Sequence, residues 1–226
     1  MNNLQSARLN WIKLLKDPVS GLTHLGGALL SIVGLVLLIR YAERFGTVKH
    51  IVTFAIFGAT LILLYTSSAL YHLLNVSENI SILLRRIDHM MIYILIAGTY
   101  TPVCVIGLTG AWGLTMLITV WALAAAGITM TVVWFGAPRW LTTAVYLLMG
   151  WLVILAFYPL IHALPVGAIT WLAIGGLLYT VGAVVYGCKW PKINSKWFGF
   201  HEVFHLFVIA GSLGHFWLMF KYLMYI

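Results

Sequence analysis

The chain is organised as long apolar runs separated by short polar breaks. A helix needs about 20 mainly apolar residues to cross the hydrocarbon core of a bilayer. Seven runs have a suitable length, and they lie at about 22–40, 51–74, 88–108, 112–134, 140–160, 168–188 and 203–224. The breaks between them hold polar residues, glycines and prolines, which favour turns. The pattern predicts an all-α membrane protein, a seven-transmembrane-helix bundle.

The N-terminal residues differ from the rest of the chain. They mix Trp11, Ile12 and Leu14 with Lys13 and Lys16, and they contain no long apolar run. This pattern does not predict a cleavable signal peptide, and it favours a short amphipathic helix on the membrane surface. We therefore expect a single membrane domain over 1–226, with an interfacial segment at 1–20 followed by the seven helices at 22–224.

The composition supports the membrane assignment and argues against a nucleic-acid-binding protein and against a cysteine-based zinc or redox site. Only 8% of residues are charged, whereas a soluble domain carries about 25%. The net charge of +8 could suggest nucleic acid, but no basic cluster is interleaved with aromatic residues in a soluble segment. The two cysteines, Cys104 and Cys188, are far apart, so they form no zinc-knuckle or redox motif.

The basic residues predict an orientation, because Lys and Arg are enriched in cytoplasmic loops. Nine lie on the side of the N-terminus: Arg8, Lys13, Lys16, Arg85, Arg86, Arg139, Lys189, Lys192 and Lys196. Four lie on the other side: Arg40, Arg44, Lys49 and Lys221. We therefore expect a multi-pass protein of the cell inner (plasma) membrane, with its N-terminus cytoplasmic and its C-terminus outside.

Ionisable residues from distant parts of the chain share one membrane depth. His72 closes the second run, Asp88 opens the third, and His201 and His205 open the seventh. An even number of crossings separates the end of the second helix from the start of the seventh, so both lie on the same side. Ionisable residues within membrane helices are costly and indicate function.

The spacing of these residues predicts a zinc site. His201 and His205 are four residues apart, which stacks them on one helix face about 6 Å apart along the axis. With His72 as a third ligand, three histidines and one open position form a zinc set of the catalytic type. Ser68 lies one turn before His72 on the same face, and Asp88 could hold the attacking water or take its proton.

The remaining histidines receive weaker interpretations. His215 lies about 15 Å further along the last helix than His205, so we expect it to be an interior hydrogen-bond partner. His24 opens the first run and could support the site or contact lipid headgroups. We expect His50 and His162, in loops on the opposite side, to be solvated.

A second motif competes for the same residues. His201–His205 spells H-E-x-x-H, in which metalloproteases place two zinc ligands and a general-base glutamate on one helix. Glu202 is therefore a second candidate base, ranked below Asp88 because it is turned about 100° from His201. No acidic residue follows Glu202 to serve as a third protease ligand.

Four segments together make the chain resemble the hemolysin III family, the bacterial members of the progestin and adipoQ receptor superfamily. They lie at 20–26 (SGLTHLG), 67–72 (SSALYH), 86–102 (RIDH leading to AGTYTP) and 201–212 (HEVFHLFVIAGS). The resemblance covers nearly the whole chain. It implies seven helices with the N-terminus inside, zinc held by His72, His201 and His205, and Ser68 and Asp88 near the zinc and its water.

The resemblance also implies a class of activity. Adiponectin receptors of the wider superfamily are linked to ceramide hydrolysis, and bacterial members to haemolysis and membrane-fluidity homeostasis. The leading hypothesis is a Zn²⁺-dependent hydrolase of lipid amide or ester bonds, with membrane lipids as partners and the lipid held between helices. The alternatives are a non-catalytic, zinc-stabilised regulator of membrane homeostasis, a haemolysin-like cytolytic protein and, less favoured, an intramembrane metalloprotease.

Overall fold

The computed structural model describes residues 15–108, 110–134, 136–193, 195 and 197–226. Within these ranges it contains seven helices that are long and apolar enough to cross a membrane: α1 (Pro18–Phe45), α2 (Val48–Leu73), α3 (Glu78–Gly107), α4 (Gly110–Val133), α5 (Arg139–Ala163), α6 (Val166–Cys188) and α7 (Phe200–Tyr225). The predicted seven-helix membrane bundle is confirmed. Most of the interfacial segment predicted at 1–20 lies outside the described residues.

The helices extend beyond the apolar runs at several ends. α3 starts at Glu78, ten residues before the predicted start at 88, so most of the expected polar break at 75–86 is helical. An apolar run marks only the part of a helix that lies in the hydrocarbon core of the bilayer. Polar side chains let the helix continue beyond that part into the headgroup layer. Asp88 therefore lies nearly three turns inside α3, and its predicted position at the helix start is wrong.

Two helices contain irregular turns, and a side chain of one helix contacts the irregular turn of the other. α3 ends in a π turn at Val103–Gly107, and α5 contains a 3₁₀ turn at Leu152–Ala156. The Tyr100 hydroxyl of α3 donates to the Gly150 carbonyl at 2.7 Å and accepts the Val153 N–H at 2.8 Å. Backbone groups at membrane depth need such partners because no water is available there. Tyr100 thus stabilises the interruption of α5.

The helices pack in a ring. α1 packs along α2, α2 along α3, α3 along α4 and α6 along α7, while α7 also contacts α1. α6 and α7 come into close contact where Gly214 faces the backbone of Gly175, as small residues allow in membrane bundles. The ring brings the last helix beside the first, and α3, α5, α6 and α7 supply most of the wall of a cavity.

The two ends of the bundle carry different histidines. We call the end at which α2 stops and α7 starts the histidine end. At the opposite end, His50 is only 6% exposed, so the expectation of a solvated loop histidine is wrong. α2 begins at Val48, which places His50 in its first turn, and the His50 Nε2–H donates to the Leu223 carbonyl at 3.1 Å. His162 is exposed, as expected.

Candidate metal centre

Three histidines converge at the histidine end. His72 lies in the last turn of α2, and His201 and His205 lie one turn apart at the start of α7. One ring nitrogen from each lies within 4.8 Å of the other two. His72 and His205 are buried, and His201 is half-buried. The structure therefore brings together the three residues that the sequence predicted as ligands.

The spacing of the ring nitrogens fits a small tetrahedral cation. The Nε2 atoms of His72 and His201 are 3.1 Å apart. Two ligands that each lie about 2.0–2.1 Å from a tetrahedral zinc ion are separated by about 3.3 Å. The ring centroids of His201 and His205 are 4.5 Å apart, and those of His72 and His205 are 5.1 Å apart. Small side-chain rotations would bring all three nitrogens to one ion.

The Nδ1 atoms of two of these histidines have partners on α1 or just before it. The His72 Nδ1–H donates to the Asp17 carboxylate at 3.2 Å, and the His205 Nδ1–H donates to the Ser20 carbonyl at 3.3 Å. A neutral imidazole has one N–H, so these partners leave the Nε2 atoms of both rings unprotonated, and that of His72 lies within hydrogen-bond distance of the His201 Nε2. The chain thus fixes the tautomer that metal binding requires.

Lys16, next to Asp17 in the chain, makes further contacts at the histidine end. Its ammonium group lies 3.7 Å from the centroid of the Tyr71 ring and donates to the Ser81 hydroxyl at 3.2 Å. Partial burial is the main cause that lowers the pKa of Lys16 below its usual value, and it outweighs the opposing effect of Asp17. Lys16 therefore packs against α2 and α3.

His24 is a fourth histidine beside the three. Its ring stacks on that of His205, with 3.6 Å between the centroids, and it meets the Tyr65 ring edge-on. His24 is 4% exposed, and neither of its ring nitrogens has a hydrogen-bond partner among the described residues. Its nitrogens do not join the cluster that spans 4.8 Å. His24 thus supports the site through ring stacking and adds no ligand.

Ser68 and Asp88 lie beside the histidines in the wall of one cavity. The cavity has a volume of about 310 Å³, and His201, His205, Ser68 and Asp88 are among its lining residues. The Ser68 hydroxyl faces the Asp88 carboxylate. Most of the remaining wall is apolar and comes from α3, α5, α6 and α7, including Ile92, Leu95, Ile96, Leu172 and Val208. The cavity therefore joins a polar end to an apolar body, as in many small-molecule sites.

Glu202 has a different set of contacts. Its carboxylate accepts the Gly199 N–H at 2.7 Å and the Ser20 hydroxyl at 2.5 Å. Acceptors at a helix start satisfy N–H groups that lack a partner within the helix. These bonds attach the start of α7 to α1, and Glu202 is not among the residues that line the cavity.

A second polar group lies deeper in the bundle. The Ser212 hydroxyl lies 2.6 Å from the Tyr65 hydroxyl and 2.8 Å from the Tyr179 hydroxyl. His215, one turn beyond Ser212, is buried and lines the far part of the cavity together with Tyr179. The predicted interior position of His215 is confirmed, but its Nδ1 has no hydrogen-bond partner among the described residues, so the predicted hydrogen-bond role is not seen at that atom.

Sequence reasoning missed the contributions of Asp17 and Ser20. A signal for them existed, because the start of the first helix lies on the same side as the end of the second and the start of the seventh. Counting crossings could therefore have placed Asp17 at the histidine end. The particular pairings with His72 and His205 need the packing of α1, which no local pattern reveals.

Comparisons with known proteins agree with this architecture. The sequence profile of a family described as Haemolysin-III related matches residues 12–216. The chain is 41% identical over 207 residues to the Hemolysin-3 homolog of Bacillus subtilis (strain 168), covering 92% of this chain and 94% of that protein. It is 38% identical over 199 residues to Hemolysin-3 of Bacillus cereus, covering 87% of each.

The chain is also more distantly similar to an animal protein. The chain is 26% identical over 182 residues to the human Monocyte to macrophage differentiation factor, covering 76% of this chain and 71% of that protein.

Proposed function

Because this chain belongs to the haemolysin-III related family of multi-pass membrane proteins, we propose that it is a metal-dependent hydrolase that cleaves an amide or ester bond of a membrane lipid. The observation that carries the proposal is that His201, His205, Ser68 and Asp88 line one end of a largely apolar cavity. This arrangement supplies ligands, a base and a hydrocarbon-binding volume in one place.

His72, His201 and His205 would hold the metal, and zinc suits three imidazoles. When bound, zinc supplies Lewis acidity and makes water a usable nucleophile near neutral pH. The three histidines have no other role in the reaction than to fix the ion at the polar end of the cavity.

Asp88 is the general base of the proposed reaction. Its carboxylate accepts a proton from the attacking water. The Ser68 hydroxyl donates to the carboxylate before that transfer, and it then turns to donate to the substrate oxygen as negative charge develops there. A new bond forms between the water oxygen and the acyl carbon, and the bond from that carbon to the leaving nitrogen or oxygen breaks. The proton held by Asp88 then passes to the leaving amine or alcohol.

The acyl chain occupies the apolar part of the cavity. A cavity of about 310 Å³ lies at the lower end of the range for ligand pockets, which favours one hydrocarbon chain. The distribution of Lys and Arg predicts that the histidine end faces the cytoplasm. The polar headgroup would then lie in the cytoplasmic leaflet.

Turnover of a lipid panel by purified, zinc-loaded protein tests the proposal, with the Asp88→Asn variant compared with wild type. We expect Asp88→Asn to lower kcat by about 100-fold or more, as for loss of a general base, and to leave the metal content unchanged. Glu43→Gln, an exposed carboxylate at the opposite end, serves as control. Absence of wild-type turnover on every lipid amide and ester overturns the proposal.

A second candidate is a non-catalytic regulator in which the metal only joins helices. It is favoured by the origin of the ligands, since α2 and α7 are far apart in sequence and a cation would cross-link them. In that case Asp88→Asn would leave the biological activity intact. The mainly apolar cavity wall favours neither candidate over the other, but it does not favour a wide aqueous pore.

A further inference from the structure

We propose that the segment 16–20, which we call the collar, is the outer support of the metal site, and that Asp17 is a positioning residue that orients His72 toward the ion. The inference rests on the proposed metal site and adds to it a residue outside the ligand set. Nothing in the ligand motif itself points to this segment, because the collar precedes His72 by more than 50 residues.

Asp17 holds His72 at two points. The Asp17 N–H donates to the His72 carbonyl at 2.8 Å, and the His72 Nδ1–H donates to the Asp17 carboxylate at 3.2 Å. The backbone bond fixes the distance between the two chain segments, so the carboxylate stays opposite the ring. The His72 side chain is 4% exposed while that of Asp17 is 47% exposed, so Asp17 supports the buried ligand from the side of the headgroups.

The Asp17 carboxylate does not cap α1, so it is available to accept the N–H of His72. Aspartate directly before a helix usually accepts an N–H of the first turn. Asp17 occupies that position before α1, yet its side chain makes no such capping bond. Its side chain bonds to His72 instead. A substitution of Asp17 should therefore affect the ligand more than the start of α1.

Ser20 extends the collar to the second ligand helix. Its carbonyl accepts the His205 Nδ1–H at 3.3 Å, and its hydroxyl donates to Glu202. The carbonyl lies in the first turns of α1, so side-chain substitution cannot remove it. Asp17 is the collar group that mutation can test.

The chemistry of this arrangement resembles that of other histidine-bound metals. A carboxylate that accepts the N–H of the ring nitrogen not bound to the metal fixes the ligand ring and raises its basicity, and loss of such a partner typically costs 10–100-fold in metal affinity. His72 has the charged partner, whereas His205 has a neutral carbonyl. Removal of the Asp17 charge should therefore weaken the bond between His72 and the ion in particular.

The test is zinc binding by the metal-free full chain in detergent, measured by competition with a chromophoric chelator. We expect Asp17→Ala to weaken zinc binding by about 10–100-fold and Asp17→Asn, which keeps an acceptor oxygen, to weaken it by less. Asp17→Glu should restore part of the affinity. The matched control is Glu78→Gln, which neutralises an exposed carboxylate at the same end of the bundle.

Melting of the metal-free proteins separates positioning from folding. A positioning role predicts that metal-free Asp17→Ala melts at the same temperature as metal-free wild type, and that the visible spectrum of bound Co²⁺ changes. The collar proposal is overturned if Asp17→Ala binds zinc within about twofold of wild type, or if its metal-free melting temperature falls while zinc affinity holds. Failure of wild type to bind either ion overturns the metal site and the collar together, so the two failures are distinguishable.

Discussion

His50 at one end of the bundle and His72 at the other are both buried, but their ring nitrogens are used in opposite ways. The His50 Nδ1 accepts the Thr47 N–H at 3.1 Å, and its Nε2–H donates to the Leu223 carbonyl at 3.1 Å. The His72 Nδ1–H donates to Asp17, which leaves the Nε2 lone pair facing His201. The partners thus select opposite tautomers at the two ends.

This difference distinguishes a structural histidine from a candidate metal ligand. Both nitrogens of His50 are engaged by chain atoms, so nothing remains for a cation. His72 and His205 each keep an unprotonated Nε2, and one ring nitrogen of each lies within 4.8 Å of the other and of a nitrogen of His201. Burial alone does not identify a metal ligand, because the direction of the second nitrogen decides whether it can bind.

The largest expected effect comes from removing a ligand. His201→Ala should weaken zinc binding by more than about 100-fold, beyond the range for loss of an outer partner, because two imidazoles cannot complete the site. His50→Ala should leave zinc affinity unchanged while lowering stability, since it removes a bond to Leu223. Metal analysis of the two variants, each purified without chelator, measures how much zinc they retain, and thermal melting measures the stability of His50→Ala. Equal zinc loss in the two variants would contradict the proposed difference between His50 and the histidines of the metal site.

Metal removal should produce an intermediate effect. Zinc at 100 times its Kd stabilises a protein by about 2.7 kcal/mol, which corresponds to about 5–10 °C in melting temperature for a chain of this size. Chelation should lower the melting temperature of wild type and His50→Ala by this amount, and leave that of His72→Ala unchanged. Thermal melting with and without chelator provides the measurement. A chelator effect on His72→Ala would indicate binding elsewhere.

The smallest expected effect concerns Glu202. Glu202→Gln keeps the shape of the side chain and an acceptor for the Gly199 N–H, but it removes the charge. We expect a change of about 1 kcal/mol in stability and a zinc affinity close to that of wild type. Chelator competition and melting measure the two quantities. A loss of turnover as large as that of Asp88→Asn would instead support the protease-type reading of the H-E-x-x-H motif.

The sequence was most informative where geometry is imposed by the membrane. Counting crossings and the four-residue spacing of His201 and His205 were sufficient to predict that His72 would join them. The depth of Asp88 was not predictable, because polar residues conceal the true start of α3 at Glu78. An apolar run reports the hydrocarbon layer, and the ends of a helix depend on solvation beyond that layer.

The contacts of His50 and Asp17 illustrate a second limit. His50 is buried because Leu223, 173 residues away, offers its carbonyl, and Asp17 meets His72 across 55 residues. Each pairing depends on how α1, α2 and α7 pack side by side. Hydrophobic patterns give the side of the membrane for each residue but not its neighbour around the ring.

The separation of the ligands along the chain has a consequence for biosynthesis. The first histidine of the cluster leaves the ribosome 129 residues before the second, an interval of about 6–26 s at ordinary elongation rates. During that time the α1–α2 hairpin can already hold His72 against Asp17. In the proposed site a cation could be held by all three histidines only after α7 has been inserted beside α2.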